Sequence, residues 1–342
     1  MRTAAVVPGA GEMRGGVVSD RFGRSVDTLR ISVTDRCNLR CSYCMPAGGM
    51  RLIDRCDILS FEEIVALAGS FAGAGVSRIK LTGGEPLARK GVSVLVKALA
   101  ETPGVEDLSL TTNGTLLAPL ISSLEGAGLR RINISLDTLQ KEKFRVITGS
   151  DMIDDVKRGM EAALGSGLFP VKLNVVLLKG VNDDEIPDFL KLAREKNIIV
   201  RFIEYMPTSG DYCAAGKDYF IPGSEVLKTA KKFFKIIPAG ENLNGGPAKY
   251  FRILPGGSLF GLISPVSEPF CETCRRLRID SRGELILCLH SGKSYSLRGL
   301  LREGDSGKLS GTIRDIVYGK PFSHLSTEPW NGSRTSMCRV GG

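Results

Sequence analysis

The chain has 342 residues, 42% of them hydrophobic, and a formal charge of +9. That length can bury a large core in one big domain or two moderate ones, while the longest apolar runs, such as Val175–Leu178, are far too short to span a bilayer. Nine cysteines, an odd count, argue against a secreted disulfide framework, and two histidines, His290 and His324, exclude an HExxH zinc site and a two-histidine iron site as local motifs.

Residues 1–21 are rich in Gly, Ala and Val and read as a disordered extension without a charged-then-apolar leader. From about residue 28 to 206 a strand-then-helix rhythm repeats six times. The predicted strands are Leu29–Val33, Ile79–Thr82, Leu108–Thr111, Ile132–Leu136, Val171–Leu178 and Ile199–Ile203. Ser60 and Glu63 form a capping-box pattern ahead of the helical stripe Ile64, Leu67 and Phe71. Further helices are predicted over Gly91–Ala100, Leu116–Glu125, Ile153–Leu164, Glu185–Lys196 and Pro222–Phe234. Alternating strands and helices imply a parallel sheet with right-handed crossovers. The fold class is therefore α/β, a partial, six-unit parallel β/α barrel over residues 22–234, with its site at the C-terminal ends of the strands. After Lys235 Gly and Pro become frequent and the strands short, so residues 235–342 form a second region.

Cys37, Cys41 and Cys44 have C-x3-C-x2-C spacing in the loop after the first strand. Three thiolates this close cannot all pair with one another, and they can converge on one metal centre. A cubane iron–sulfur cluster has four irons, so three cysteines leave one open for chemistry. The alternative is structural zinc with Cys56 as fourth ligand. Thr82–Pro86, TGGEP, ends the second strand; its glycines allow a close backbone approach and Glu85 offers an acceptor for an ammonium. There is no phosphate loop: Gly292-Lys293-Ser294 imitates its end, but Leu287 stands where its first glycine belongs. Triphosphate binding would fall to side chains. Arg30, Lys80 and Lys172 sit in predicted strands, and Arg276 and Arg278 share one face if extended. Cys271, Cys274 and Cys288 form C-x2-C-x13-C, and the residues alone leave open a second cluster or a zinc site completed by His290.

C-x3-C-x2-C with Tyr43 before the last cysteine resembles the radical S-adenosylmethionine (SAM) enzymes. The order LRISVTDRCNLRCSYCMP, RIKLTGGEPL, LTTNGTLL, GLRRINISLDT, PVKLNVVLLKGVND, VRFIEYMP, PFCETCRRLRI, CLH and a terminal Gly341-Gly342 closely resembles the GTP 3′,8-cyclases of molybdenum cofactor biosynthesis, from Phe22 onward. The resemblance implies that Cys37, Cys41 and Cys44 hold a 4Fe–4S cluster that binds SAM. Tyr43, Gly84, Ser135 and Met206 would contact SAM, with Glu85 assisting at its amino group. Cys271, Cys274 and Cys288 would hold a second 4Fe–4S cluster facing guanine. Arg30, Lys80, Thr111, Lys172, Arg276, Leu277 and Arg278 would contact GTP, Leu277 through its backbone, with Arg276 and Arg278 also counted as catalytic. The implied reaction abstracts hydrogen from ribose C3′ and joins C3′ to guanine C8. Two positions depart from the pattern. Lys80 stands where the family has arginine, which removes a bidentate fork, and Asp211–Tyr219 lacks an expected tryptophan.

The implied partners are GTP, an electron donor and a downstream cyclic pyranopterin monophosphate synthase, with no nucleic acid and no membrane span; a homodimer is allowed. The implied location is cytoplasmic, with the mitochondrial matrix as the alternative. Two other classes remain open: a radical SAM enzyme acting on a peptide or RNA, and a zinc protein binding nucleic acid through its charge.

Overall fold

The computed structural model describes residues 17–45, 49–206, 219–240, 245–290, 293–323 and 337–341. Six strands, β1 (Thr28–Ser32), β2 (Arg78–Thr82), β3 (Asp107–Thr112), β4 (Arg131–Ser135), β5 (Val171–Leu177) and β6 (Ile199–Glu204), pair in parallel in chain order. The intervening helices are α1 (Phe61–Gly73), α2 (Val92–Ala100), α3 (Ile121–Gly126), α4 (Lys141–Thr148), α5 (Ile153–Leu164) and α6 (Ile186–Lys196). The expected cap starts α1: Glu63 N donates to Ser60 Oγ, and Ser60 N to the Glu63 carboxylate. These bonds satisfy donors that a helix end leaves unpaired. α3 is shorter than the predicted Leu116–Glu125, because Asn113 Oδ1 captures Thr115 N at 3.0 Å and the chain turns before the helix begins.

The C-terminal region continues the same sheet. α7 (Gly223–Phe233) leads to β7 (Lys235–Pro238), β8 (Lys249–Leu254), β9 (Ser258–Ile263), β10 (Arg276–Ile279), β11 (Glu284–Ile286) and β12 (Tyr295–Ser296). Then follow α8 (Arg298–Glu303), α9 (Ser306–Tyr318) and α10 (Met337–Val340). β9 adds parallel to β6 and β10 parallel to β1, so the six expected strands become eight, with antiparallel strands outside them.

Alternation along the strands separates two surfaces. Leu29, Ile31, Leu81, Leu110, Ile132, Ile134, Leu173 and Val175 are buried in one core with the helix side chains Ile64, Leu67, Leu95 and Phe189. The residues between them carry charges and amides and line a cavity. The extension expected over 1–21 does not run that far. Val18 is buried and its N–H reaches Ala74 O at 2.8 Å, while Ser19 bridges Ser25, so this segment is held to the barrel by an apolar contact and backbone bonds. Residues 1–16 lie outside the described residues. Among the described residues no helix is long and apolar enough to cross a membrane.

Candidate active site

Parallel register lays the polar residues of the inner surface in rows. Arg278, Arg30, Lys80, Ser109 and Arg131 are successive lateral neighbours from β10 to β4. Thr111, Asn133 and Lys172 form a second row, and Ser135, Asn174 and Arg201 a third. Side chains at paired positions point to the same face, so these rows share one cavity of about 420 Å³. All six cysteines of the two triads also line it.

The first triad lies beyond the C-terminal end of β1. Cys44 N donates to Cys41 O at 2.9 Å, folding the loop into a turn, and Asn113 Nδ2 reaches Cys37 Sγ at 3.8 Å. Tyr43 OH donates to Asp137 Oδ2 at 2.7 Å, and Val176 N to Asp137 Oδ1 at 2.8 Å. Burial raises the Asp137 carboxyl to about 6 against those two bonds. Burial and the Asp137 charge push the Tyr43 hydroxyl well above its usual value.

The second triad gathers at the opposite end of the strands, beside the N-terminal end of β10, the parallel neighbour of β1. Cys274 lies two residues before the start of β10, and Cys288 lies two residues after the end of the antiparallel β11, so the two meet at one end of that pair. Cys274 N donates to Cys271 O at 3.1 Å, which brings the third thiol into the same turn. Burial raises the Cys274 thiol, but the positive charges of Arg276 and Lys320 more than reverse this and bring it to about 7. Burial pushes the Cys288 thiol up. The seven described cysteines, Cys56 included, stand as thiols, and Cys56 is exposed.

The cavity is strongly basic. Eight Arg or Lys side chains line it against three carboxylates. Each carboxylate is already engaged. Asp107 binds Arg131 through both oxygens, Asp137 binds Tyr43, and Glu204 accepts from Gly223 N, Val266 N and Ser267 N. Among the described residues Arg30, Lys80 and Lys172 have no carboxylate partner. Burial, then Arg201 and Arg131, lower the Lys172 ammonium to about 7. Burial and Arg30 hold Lys80 well below its usual value, and burial with Arg278 and Arg276 does the same to Arg30. Two like charges about 4 Å apart repel by about 4 kcal/mol at an effective dielectric of about 20. Such a cluster is stable when an anion enters it. Thr111 Oγ1 is buried on this wall with no hydrogen-bond partner, the mark of a group awaiting a ligand.

Residues 31–193 match the model of the Radical SAM superfamily, and residues 198–326 that of Molybdenum Cofactor Synthesis C. The chain is 46% identical over 326 residues to the GTP 3′,8-cyclase of Moorella thermoacetica, covering 95% of this chain and 100% of that protein. It belongs to the GTP 3′,8-cyclase family. The GTP 3′,8-cyclase of Heliobacterium modesticaldum is 45% identical, over 94% of this chain and 99% of that one. Streptococcus suis SuiB bound to S-adenosylmethionine superposes with a TM-score of 0.56 at 17% identity, covering 84% of this chain and 68% of SuiB, a likeness of fold alone.

The donor set fits the clusters and cofactor expected of a GTP 3′,8-cyclase. Two thiol triads open onto one cavity, each offering the three thiolates that leave one iron of a cubane open.

Most of the expected contact residues reach the cavity: Tyr43, Gly84, Ser135 and Met206, and also Arg30, Lys80, Thr111, Lys172, Arg276 and Arg278. Two side chains do not. Glu85 is fully buried and its carboxylate accepts from Leu87 N at 2.9 Å, Thr112 Oγ1 at 2.7 Å and Asn113 N at 2.7 Å. It holds the loop together, and burial raises it to about 7. Leu277 alternates away from Arg276 and Arg278 into the apolar core. Gly84 is required by packing, because a Cβ there would overlap Arg36 O in the cysteine loop. Near the chain's end Arg278 Nη1 donates to Gly341 O; Gly341 has φ +73° and a Cβ there would overlap Thr82. Gly342, Gly292, His324, Cys213, the side chain of Cys338 and residues 211–218 lie outside the described residues.

Sequence reasoning missed Arg201, whose guanidinium donates to Asn133 Oδ1 and Asn174 Oδ1, both at 2.6 Å. It also missed Arg78, Arg131 and Asp137 on the cavity wall. The available signal was a charge inside an apolar strand, as in Val200-Arg201-Phe202.

Proposed function

We propose that this chain joins ribose C3′ to guanine C8 within GTP, the first step of molybdenum cofactor biosynthesis. One juxtaposition carries the reading: two thiol triads share a cavity with cations, Arg30, Lys80 and Lys172 among them, that have no carboxylate partner among the described residues. The cofactors are two 4Fe–4S clusters and SAM. Cys37, Cys41 and Cys44 would hold the first cluster, and Cys271, Cys274 and Cys288 the second. When bound, the first cluster and SAM supply the adenosyl radical that takes hydrogen from C3′.

The chain's own residues bind, orient and shield. Tyr43, Gly84, Ser135 and Met206 form the wall for SAM at the first triad. Arg30, Lys80 and Lys172 neutralise the triphosphate, and Thr111 supplies a hydroxyl to the nucleotide. Arg276 and Arg278 steer the base end beside the second triad. Lys80 offers a point charge without a planar fork. Small displacements of the reacting carbon would be costly, so binding at both ends of the cavity serves orientation.

The reading includes a low-potential electron donor, because SAM cleavage is reductive, and a downstream synthase that converts the product to cyclic pyranopterin monophosphate. It also includes a cytoplasmic location and leaves room for a homodimer. Anaerobic incubation with SAM, reductant and each nucleoside triphosphate in turn, followed by mass spectrometry, tests it. GTP alone should yield the cyclised nucleotide and 5′-deoxyadenosine. Turnover of another triphosphate in preference to GTP, or none of GTP, would overturn it.

A further inference from the structure

Lys320, just beyond α9, is 2% exposed. Its ammonium donates to Arg276 O at 3.1 Å and to Leu287 O at 2.5 Å. Arg276 opens β10 two residues after Cys274, and Leu287 is joined directly to Cys288. One buried ammonium therefore fastens the two segments that carry two thiols of the second triad. Arg24 fastens the third: its Nη1 donates to Cys271 O at 2.6 Å. The two cations differ in how their charge is met. Arg24 Nε is paired with Asp20 Oδ2 at 2.6 Å, whereas among the described residues no carboxylate pairs with Lys320.

An ammonium buried on neutral carbonyls is costly unless a negative charge lies close by. Burial lowers Lys320, and the negative charges that favour its protonated form belong to Cys274 and Cys288. A methionine would pack there without that cost. The positive charge itself is what the site retains.

We propose that Lys320 is a positioning residue of the second centre: it fixes the Cys274 and Cys288 segments through their carbonyls and offsets the negative charge of the group those thiols hold. This rests on the reading of Cys271, Cys274 and Cys288 as cluster ligands. A fixed positive charge beside a cluster favours its reduced form, so Lys320 raises the second cluster's reduction potential and leaves the first cluster's unmoved.

The test uses the full chain, reconstituted anaerobically, as the parent, Lys320→Arg, Lys320→Gln and Lys320→Met. Iron and sulfide per chain are measured, and a redox titration followed by electron paramagnetic resonance resolves the two clusters. Cys271→Ala identifies the second cluster's signal by its loss. Lys320→Gln can still donate to the carbonyls but carries no charge; its second cluster should titrate at a lower potential with the first unchanged. Lys320→Arg should stay near the parent. Should Lys320→Met fail to load, loaded Lys320→Gln still gives the decisive reading. Loss of the second cluster in Lys320→Gln but not in Lys320→Arg would equally support a need for the charge. An unmoved potential in loaded Lys320→Gln, or equal failure of Lys320→Gln and Lys320→Arg, would overturn the proposal. Full iron in Cys271→Ala would instead sink the ligand reading beneath it.

Discussion

The first cysteine triad has Tyr43 and Asp137 on its cavity wall and the amide of Asn113 against Cys37, with Arg40 reaching the Cys37 carbonyl at 2.5 Å from outside the cavity. The second sits among Arg276, Lys320 and Arg24, two of which lower the Cys274 thiol in spite of its burial. Both triads present three thiols to one cavity, yet the Asp137 carboxyl faces the cavity near the first and the Arg276 guanidinium faces it near the second. SAM, proposed for the first site, would bring its own sulfonium, ammonium and carboxylate, which calls for hydrogen-bonding shape more than charge. On the proposed assignment the second site would meet the base end of a nucleotide, and Arg276 and Lys320 there offset the negative charge of the thiolates. The same donor residues serve different ends because their neighbours differ.

Removing a thiol from each triad is the largest perturbation and separates the two roles. Cys41→Ser should abolish reductive SAM cleavage, measured as 5′-deoxyadenosine, because the open iron is lost with its cluster. Cys271→Ala should still cleave SAM, should yield no cyclised nucleotide, and should lose about half the iron, as two similar clusters imply. Normal product from Cys271→Ala would erase the distinction between the triads.

Deleting Gly341 and Gly342 comes next. Gly341 O accepts from Arg278, and no larger residue fits beside Thr82. The truncated chain should keep both clusters by iron analysis and lose most cyclised product. Normal turnover would make the tail a bystander.

A smaller effect is expected at Lys80, between Arg30 and Ser109 in the middle of the cavity. Lys80→Ala should weaken GTP binding by about 1–3 kcal/mol, the scale of a lost charged hydrogen bond, while Lys80→Arg retains it. Calorimetric titration under anaerobic conditions measures both. Equal affinity in Lys80→Ala would place the phosphates elsewhere.

The smallest effect is a proton. Lys172 stands at about 7, held down by burial and by Arg201 and Arg131. A triphosphate favours its charged form and raises that value. Its contribution to affinity is therefore complete below about pH 7 and fades as the pH climbs through the bound-state value. Binding at pH 8 should take up a proton, seen as a dependence of the measured heat on buffer ionisation enthalpy. Lys172→Met should remove that dependence, and its persistence would assign the proton to another group.

The six barrel strands were legible because apolar alternation and turn residues are local signals. The cysteine loop was legible because its spacing is compact. β9 and β10 do not read as parallel extensions, since RLRI has only four residues and the partners of both, β6 and β1, lie far away in sequence. Pairing of that kind leaves no periodic trace. Among site residues, Arg30, Lys80 and Lys172 stood out as charges within strands. Arg201 had the same signal, but its partners Asn133 and Asn174 come from other strands. Glu85 was read as a cofactor contact because Thr112 and Asn113, which capture its carboxylate, come from the next strand and its end.

The pairing of β1 with β10 works as a ruler. Cys37 follows the C-terminal end of β1, while Cys274 precedes the N-terminal end of its parallel neighbour, with Thr28 opposite Arg276. Between Thr28 and Ser32 alone the ladder runs about 13 Å, at about 3.3 Å per residue. The gap between the two thiol triads is thus graduated by backbone hydrogen bonds within one sheet and needs no hinge to set it. On the proposed assignment, SAM held at one mark and the nucleotide held at the other fill that fixed span together, so a nucleotide too short to meet SAM would occupy its own end and leave the other idle.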